Sequence, residues 1–112
     1  MKNFLKDIIK KILKTSGYSL VNDNQKIVEL TNKDDELIKL IQDYSMTPKI
    51  RIFNLLQSLR YIKQKKIIGD YVECGVWKGG NILLFKKFIE NEDKESKKKI
   101  YAFDTFEGMT RP

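Results

Sequence analysis

Gly69-Asp-Tyr-Val-Glu-Cys-Gly-Val-Trp-Lys-Gly-Gly80 is the stretch whose reading decides the fold. The turn pair Gly69-Asp70 leads into Tyr71 to Val76, where β-branched, aromatic and other apolar residues predict a short, mostly buried strand. Gly75 to Gly80 reads as a glycine-bearing turn, and Asn81 to Glu90 (NILLFKKFIE) as a helix. Strand, glycine turn and helix in that order suggest a nucleotide-type site. Glycines let backbone N–H groups approach a ligand, and the helix N-terminus beside them carries partial positive charge.

Working outward, Ile100-Tyr-Ala-Phe-Asp104 is a second strand candidate, which completes a β-α-β unit. Such a unit in one sheet is parallel and almost always right-handed. It ends in an acidic residue at a strand C-terminus, where open α/β sheets bind ligands. In dinucleotide folds an acidic residue about 20 positions beyond the glycines takes the ribose hydroxyls. Asp104 follows Gly80 by 24 positions, and a carboxylate can accept from two neighbouring hydroxyls at once.

The glycine spacing discriminates among ligands. It is G-x-x-x-G-G with Glu73 two positions ahead, neither G-x-G-x-x-G nor a phosphate-cradling P-loop. A carboxylate at this point would repel a pyrophosphate and would suit a cation. S-adenosylmethionine, with a sulfonium and an ammonium at one end and a ribose at the other, is such a ligand.

Asp70-Tyr-Val-Glu-Cys-Gly-Val-Trp-Lys-Gly-Gly80 followed by Tyr101-Ala-Phe-Asp-Thr-Phe-Glu-Gly108 resembles the macrocin O-methyltransferase (TylF-type) family. Those are class I enzymes that use S-adenosylmethionine to methylate sugar hydroxyls of natural products. The resemblance implies that Glu73, Cys74, Gly75, Val76 and Trp77 lie along the methionine part of the cofactor. It places Asp104, with Thr105, Phe106, Glu107 and Gly108, at the adenosine ribose. Met46 and Thr47 would border the methionine end, although capping and packing are the reading preferred for that pair. The expected fold is α/β: the first β-α-β unit of a truncated Rossmann-like class I methyltransferase domain (residues 67–112), preceded by an N-terminal helical region (residues 1–66).

Each of these residues also has a plainer explanation. Glu73, amid apolar neighbours, needs a partner, which is either the cofactor ammonium or a nearby lysine. Trp77 either shields the cofactor or covers the sheet edge. Asp104 could cap the turn that follows it, and the glycines could serve the turn alone. Cys74 is expected to be a buried small apolar residue, and Lys78 to face solvent.

The sequence has 112 residues and no histidine, so Ser-His-Asp and Cys-His catalysis are excluded within it. One cysteine cannot form an internal disulfide and fits a cytoplasmic setting; no signal peptide is evident. The net charge of +7 comes mostly from lysines scattered along the chain. Nucleic acid is not expected as a partner, because no interleaving of basic and aromatic residues of the RNA-binding kind occurs. By the resemblance, later strands, the acceptor pocket, the catalytic base and the carboxylates for a magnesium ion lie beyond this sequence. The chain is therefore read as an inactive N-terminal part with no catalytic residue or metal site of its own, expected to self-associate or to need a companion chain.

Upstream, Met1 to Thr15 alternates apolar pairs (Phe4-Leu5, Ile8-Ile9, Ile12-Leu13) with lysines, an amphipathic helix stopped by Ser16-Gly17. Packing on its own domain or on a partner is expected ahead of a membrane surface. Tyr18 to Lys33 reads as irregular, with Ile27 to Leu30 extended. A helix opens at Asp34-Asp35-Glu36 and runs to Tyr44; another starts with Thr47 as N-cap and Pro48 at the first position, and runs to about Lys65. Asn91 to Lys99 reads as a solvated loop. The alternative function is a small basic interaction module that docks through its N-terminal helix.

Overall fold

In the computed structural model, which describes residues 2–17, 27 and 29–109, the described residues form four helices and a two-stranded sheet. In chain order these are α1 (Lys2–Thr15), α2 (Asn32–Gln42), α3 (Lys49–Gln64), β1 (Tyr71–Cys74), α4 (Gly80–Glu92) and β2 (Ile100–Phe103). The expected α/β class and the order strand, helix, strand hold. The strands pair in parallel, with Tyr71 opposite Ile100 and Cys74 opposite Phe103.

Local chemistry sets the helix bounds. Thr31 is the N-cap of α2: its side chain accepts from the Asp34 N–H at 3.2 Å, so the helix opens two residues before the expected Asp34. For α3 the N-cap is Pro48 instead of Thr47, and no side chain caps it. The Thr47 N–H instead donates to Ser45 Oγ at 3.0 Å, which bends the chain ahead of the proline. At the end of α3, Lys66 takes a left-handed conformation (φ 51°). The N–H of Ile67 then reaches the carbonyl of Ile62 at 3.0 Å, a Schellman closure with lysine in the usual glycine position.

The core lies where α2 and α3 pack on each other and on α4, which in turn lies against the sheet. Ile38 and Ile41 from α2 meet Ile52, Phe53, Leu56 and Leu59 from α3 and Leu84, Phe85 and Phe88 from α4. Each such side chain contributes roughly 1.5–3 kcal/mol on removal from water. Tyr71 of β1 joins them, its ring stacked on Phe85 with centroids 5.2 Å apart. Arg60 of α3 ties the helices together: its guanidinium donates to both carboxylate oxygens of buried Asp34 in α2 and to Glu92 in α4.

Three expectations need correction. Cys74 is exposed, because alternation in β1 turns it, with Val72, away from the helices. Opposite them on β2, Tyr101 and Phe103 are also exposed, so this apolar sheet face is open to solvent. Second, α1 packs on no other described element, so the expected docking on its own domain is not seen. The radius of gyration, 18.5 Å, accordingly exceeds the roughly 13 Å of a compact chain of about 100 residues. Third, the 91–99 segment is not simply solvated. Helix α4 continues to Glu92, and Lys98 Nζ donates to the carbonyls of Ile67 (2.6 Å) and Gly69 (2.5 Å). The extended piece expected at Ile27 to Leu30 falls partly outside the described residues; a 3.3 Å turn bond joins Leu30 N–H to the Ile27 carbonyl. Residues 18–26 and 110–112 lie outside the description.

Candidate functional site

The C-terminal tips of the two strands lie side by side. Gly75, just past β1, donates its N–H to the carbonyl of Phe103 at 2.8 Å, and Asp104 follows directly on β2. From Gly75 the chain turns through positive φ at Gly75 (85°), Trp77 (48°) and Gly79 (83°) before entering α4. Glycine tolerates this region, whereas Trp77 is held there against its steric preference. A side chain at Gly75 or Gly79 would meet no neighbouring atom, so the loop presents bare backbone to open space.

Gly80 has a different reason for its bareness. A Cβ there would stand 2.7 Å from both the Tyr44 carbonyl oxygen and Ser45 Cβ. The Gly80 N–H donates to that same carbonyl at 3.0 Å. The start of α4 is thus pressed against the Tyr44–Thr47 connection between α2 and α3. Between them is a cavity of about 140 Å³ lined by Tyr44, Ser45, Met46, Thr47, Glu73, Gly75, Val76, Trp77, Gly80 and Asn81.

Glu73 projects from β1 to this cavity. Its Oε1 accepts from Asn81 Nδ2 at 2.6 Å, while Glu73 Oε2 and Asn81 Oδ1 are buried without a hydrogen-bond partner. The partner in this structure is therefore an asparagine, neither of the two that the sequence suggested. Orphaned buried oxygens are costly, at roughly 1–3 kcal/mol each, and both residues line this one cavity.

Asp104 works on the loop from the other strand. Its Oδ2 accepts from the N–H groups of Val76 (2.6 Å) and Trp77 (3.2 Å), and its Oδ1 from Phe106 N–H (3.2 Å). The Val76 bond above all, then those of Phe106 and Trp77, lower its pKa to about 2. With three acceptor directions used, little remains for the two ribose hydroxyls that spacing alone suggested. Its turn-capping bond to Phe106 and its hold on the glycine loop coexist.

Of the residues singled out from sequence, Glu73, Gly75, Val76 and Trp77 come together on the cavity, and Met46 and Thr47 line it too. Asp104 is joined to them through Val76 and Trp77. Thr105, Phe106, Glu107 and Gly108 form an exposed turn folded back on Asp104, with the Thr105 hydroxyl donating to the Gly108 carbonyl at 3.2 Å. Cys74 points to the open sheet face. Lys78 is exposed and lies over the Trp77 ring, 4.8 Å from its centroid. Asn81 was missed by sequence reasoning; its place in the first turn of the helix after a glutamate-bearing strand end was the available signal.

Larger hollows exist elsewhere. One of about 740 Å³ borders Arg60, and one of about 420 Å³ lies at the N-terminal ends of the strands. Both are lined largely by charged side chains, and neither includes Glu73 or Asn81. Among the described residues no cluster of three or more Cys, Asp or Glu side chains could hold a metal ion, and no helix is long and apolar enough to cross a membrane.

Comparison with known proteins gives one match: the family model for macrocin-O-methyltransferase (TylF) covers residues 2–112. No curated protein and no solved structure matches the chain.

Proposed function

Since the chain belongs to the macrocin-O-methyltransferase (TylF) family of S-adenosylmethionine-dependent enzymes, we propose that its glycine loop and Glu73 cavity bind S-adenosyl-L-methionine for methylation of a sugar or natural-product hydroxyl. The observation that carries this reading is the unpartnered Glu73 Oε2 in a cavity beside bare loop backbone. A carboxylate with a free oxygen fits an ammonium, and the cavity has the size of an amino-acid end rather than a nucleoside. Gly75 to Gly79, with the Asp104–Gly108 turn beside them, would hold the nucleoside end on their open side. When bound, the cofactor supplies a methyl group activated by its sulfonium.

The chain's own contribution is binding and orientation. Asp104 fixes Val76 and Trp77, which otherwise would be free to leave the strained loop conformation. Trp77, half exposed at the cavity rim, restricts water there. Holding the donor in one geometry removes much of the entropic barrier to attack by a hydroxyl. No residue among these is assigned as the base that takes the hydroxyl proton.

Calorimetric titration with S-adenosylhomocysteine tests the reading. The 112-residue chain is expected to bind it, and Glu73→Gln to bind it roughly tenfold or more weakly, since a hydrogen bond to a charged group is worth about 1.5–3 kcal/mol. Absence of binding by the unsubstituted chain at millimolar ligand would overturn it.

One observation favours a second role for α1. Phe4, Ile8, Ile9 and Ile12 on this helix are all exposed, which leaves its apolar stripe available for docking to a partner or an anionic membrane surface.

A further inference from the structure

We infer that Asn81 is a specificity-determining residue, forming with Glu73 a two-acceptor grip that selects ligands carrying a primary ammonium. The inference rests on the cofactor reading above and adds to it a residue and a selectivity. Asn81 sits in the first turn of α4, one position beyond Gly80, whose contact with the Tyr44 carbonyl fixes the start of that helix. Its side-chain nitrogen donates to Glu73 Oε1 at 2.6 Å. That bond settles the orientation of the amide, since an amide oxygen facing the carboxylate would be repelled. Asn81 Oδ1 is thereby turned away from Glu73 Oε1, and it is buried with no partner, as is Glu73 Oε2.

Two buried oxygens without donors, one from a carboxylate and one from an amide, are both met by a group with several N–H bonds, and positive charge favours it at the carboxylate. A primary ammonium has three donors and no acceptor. A hydroxyl has a single donor and would leave one of the two oxygens orphaned. The cavity wall from Tyr44 to Thr47 leaves about 140 Å³ for such an end group.

The test compares two ligands on the full chain: S-adenosylhomocysteine, which has the ammonium, and 5′-deoxy-5′-methylthioadenosine, which lacks the amino-acid end. Asn81→Ala should weaken the first about tenfold and leave the second within about twofold. Glu73→Gln should show the same selective loss, and the double variant should lose no more than the larger single loss, because the two side chains act as one unit. An equal loss for both ligands would make Asn81 a merely structural residue of the loop, and no loss for either would remove it from the site; each overturns the inference. Binding of S-adenosylhomocysteine by the unsubstituted chain separates these outcomes from failure of the cofactor reading itself, which would show as no binding of either ligand and would take this inference with it. If Asn81→Ala does not fold, as judged by circular dichroism, Asn81→Ser, with a side chain too short to reach Glu73, repeats the comparison.

Discussion

Three backbone N–H groups, from Val76, Trp77 and Phe106, converge on the Asp104 carboxylate and lower its pKa from the ordinary 3.8 to about 2. On acidification the unfolded chain therefore takes up this proton first. The contribution of Asp104 to stability is complete above about pH 4 and is lost as pH falls toward 2. Asp34, lowered in the same direction chiefly by its bonds to Arg60, adds to the same acid limb. Asp104→Asn should melt at a lower temperature than the unsubstituted chain at pH 7, and the gap should narrow as pH drops from 4 to 2. Thermal melts followed by circular dichroism across that range check it; a constant gap would mean that the charge of Asp104 does not hold the loop. The sequence made Asp104 conspicuous through its position after an apolar strand. It could not show that the carboxylate spends its acceptors on the neighbouring strand's loop, because those donors are backbone atoms with no residue signature.

Among the elements, α2, α3 and α4 are joined by apolar packing and by one cation. Arg60 reaches Asp34, 26 positions away, and Glu92, 32 positions away. Breaking a buried pair by removing one partner costs about 3–5 kcal/mol; with the Arg60 side chain 31% exposed, Arg60→Leu is expected to cost about 2–3 kcal/mol in urea denaturation. Asp34→Leu combined with Arg60→Leu should recover part of the loss, since no buried carboxylate is then left alone. That the helices exist was legible in the sequence, and of the side expected to be buried on α3 Ile52, Leu56 and Leu59 are buried while Leu55 and Ile62 are only partly so; Phe53 on α3 joins them, as do Leu84, Phe85 and Phe88 on α4. Their ends were less so. The cap at Thr31 was readable as a threonine three residues ahead of Asp34, and the Ser45 bond that shifts the start of α3 past Thr47 was not, being a local hydrogen bond that competes with helix capping.

For the molecule as a whole, α1 and the remaining elements are separate stability problems. Because α1 packs on no other described element, deleting residues 1–15 should leave the melting temperature of the remainder unchanged within about 2 °C. The same deletion should abolish co-sedimentation with anionic liposomes if the exposed Phe4–Ile12 stripe docks to such a surface; retained sedimentation would end that second role. Amphipathicity was plain in the sequence, but it shows that a stripe exists without showing what it meets. The same holds for the outer sheet face, where Val72 and Cys74 of the strand expected to be mostly buried are exposed, together with Tyr101 and Phe103. Strand identity follows from side-chain pattern, whereas coverage depends on what else packs nearby. The glycine at position 80 carries a consequence for anyone wishing to retune the pocket. Floor and roof touch there without room for even one methyl, so enlargement cannot begin at that seam. Met46, 76% exposed on the opposite wall, is where a redesign has freedom: its side chain can be exchanged for a bulkier or smaller one while the hinge between helix and connection stays shut.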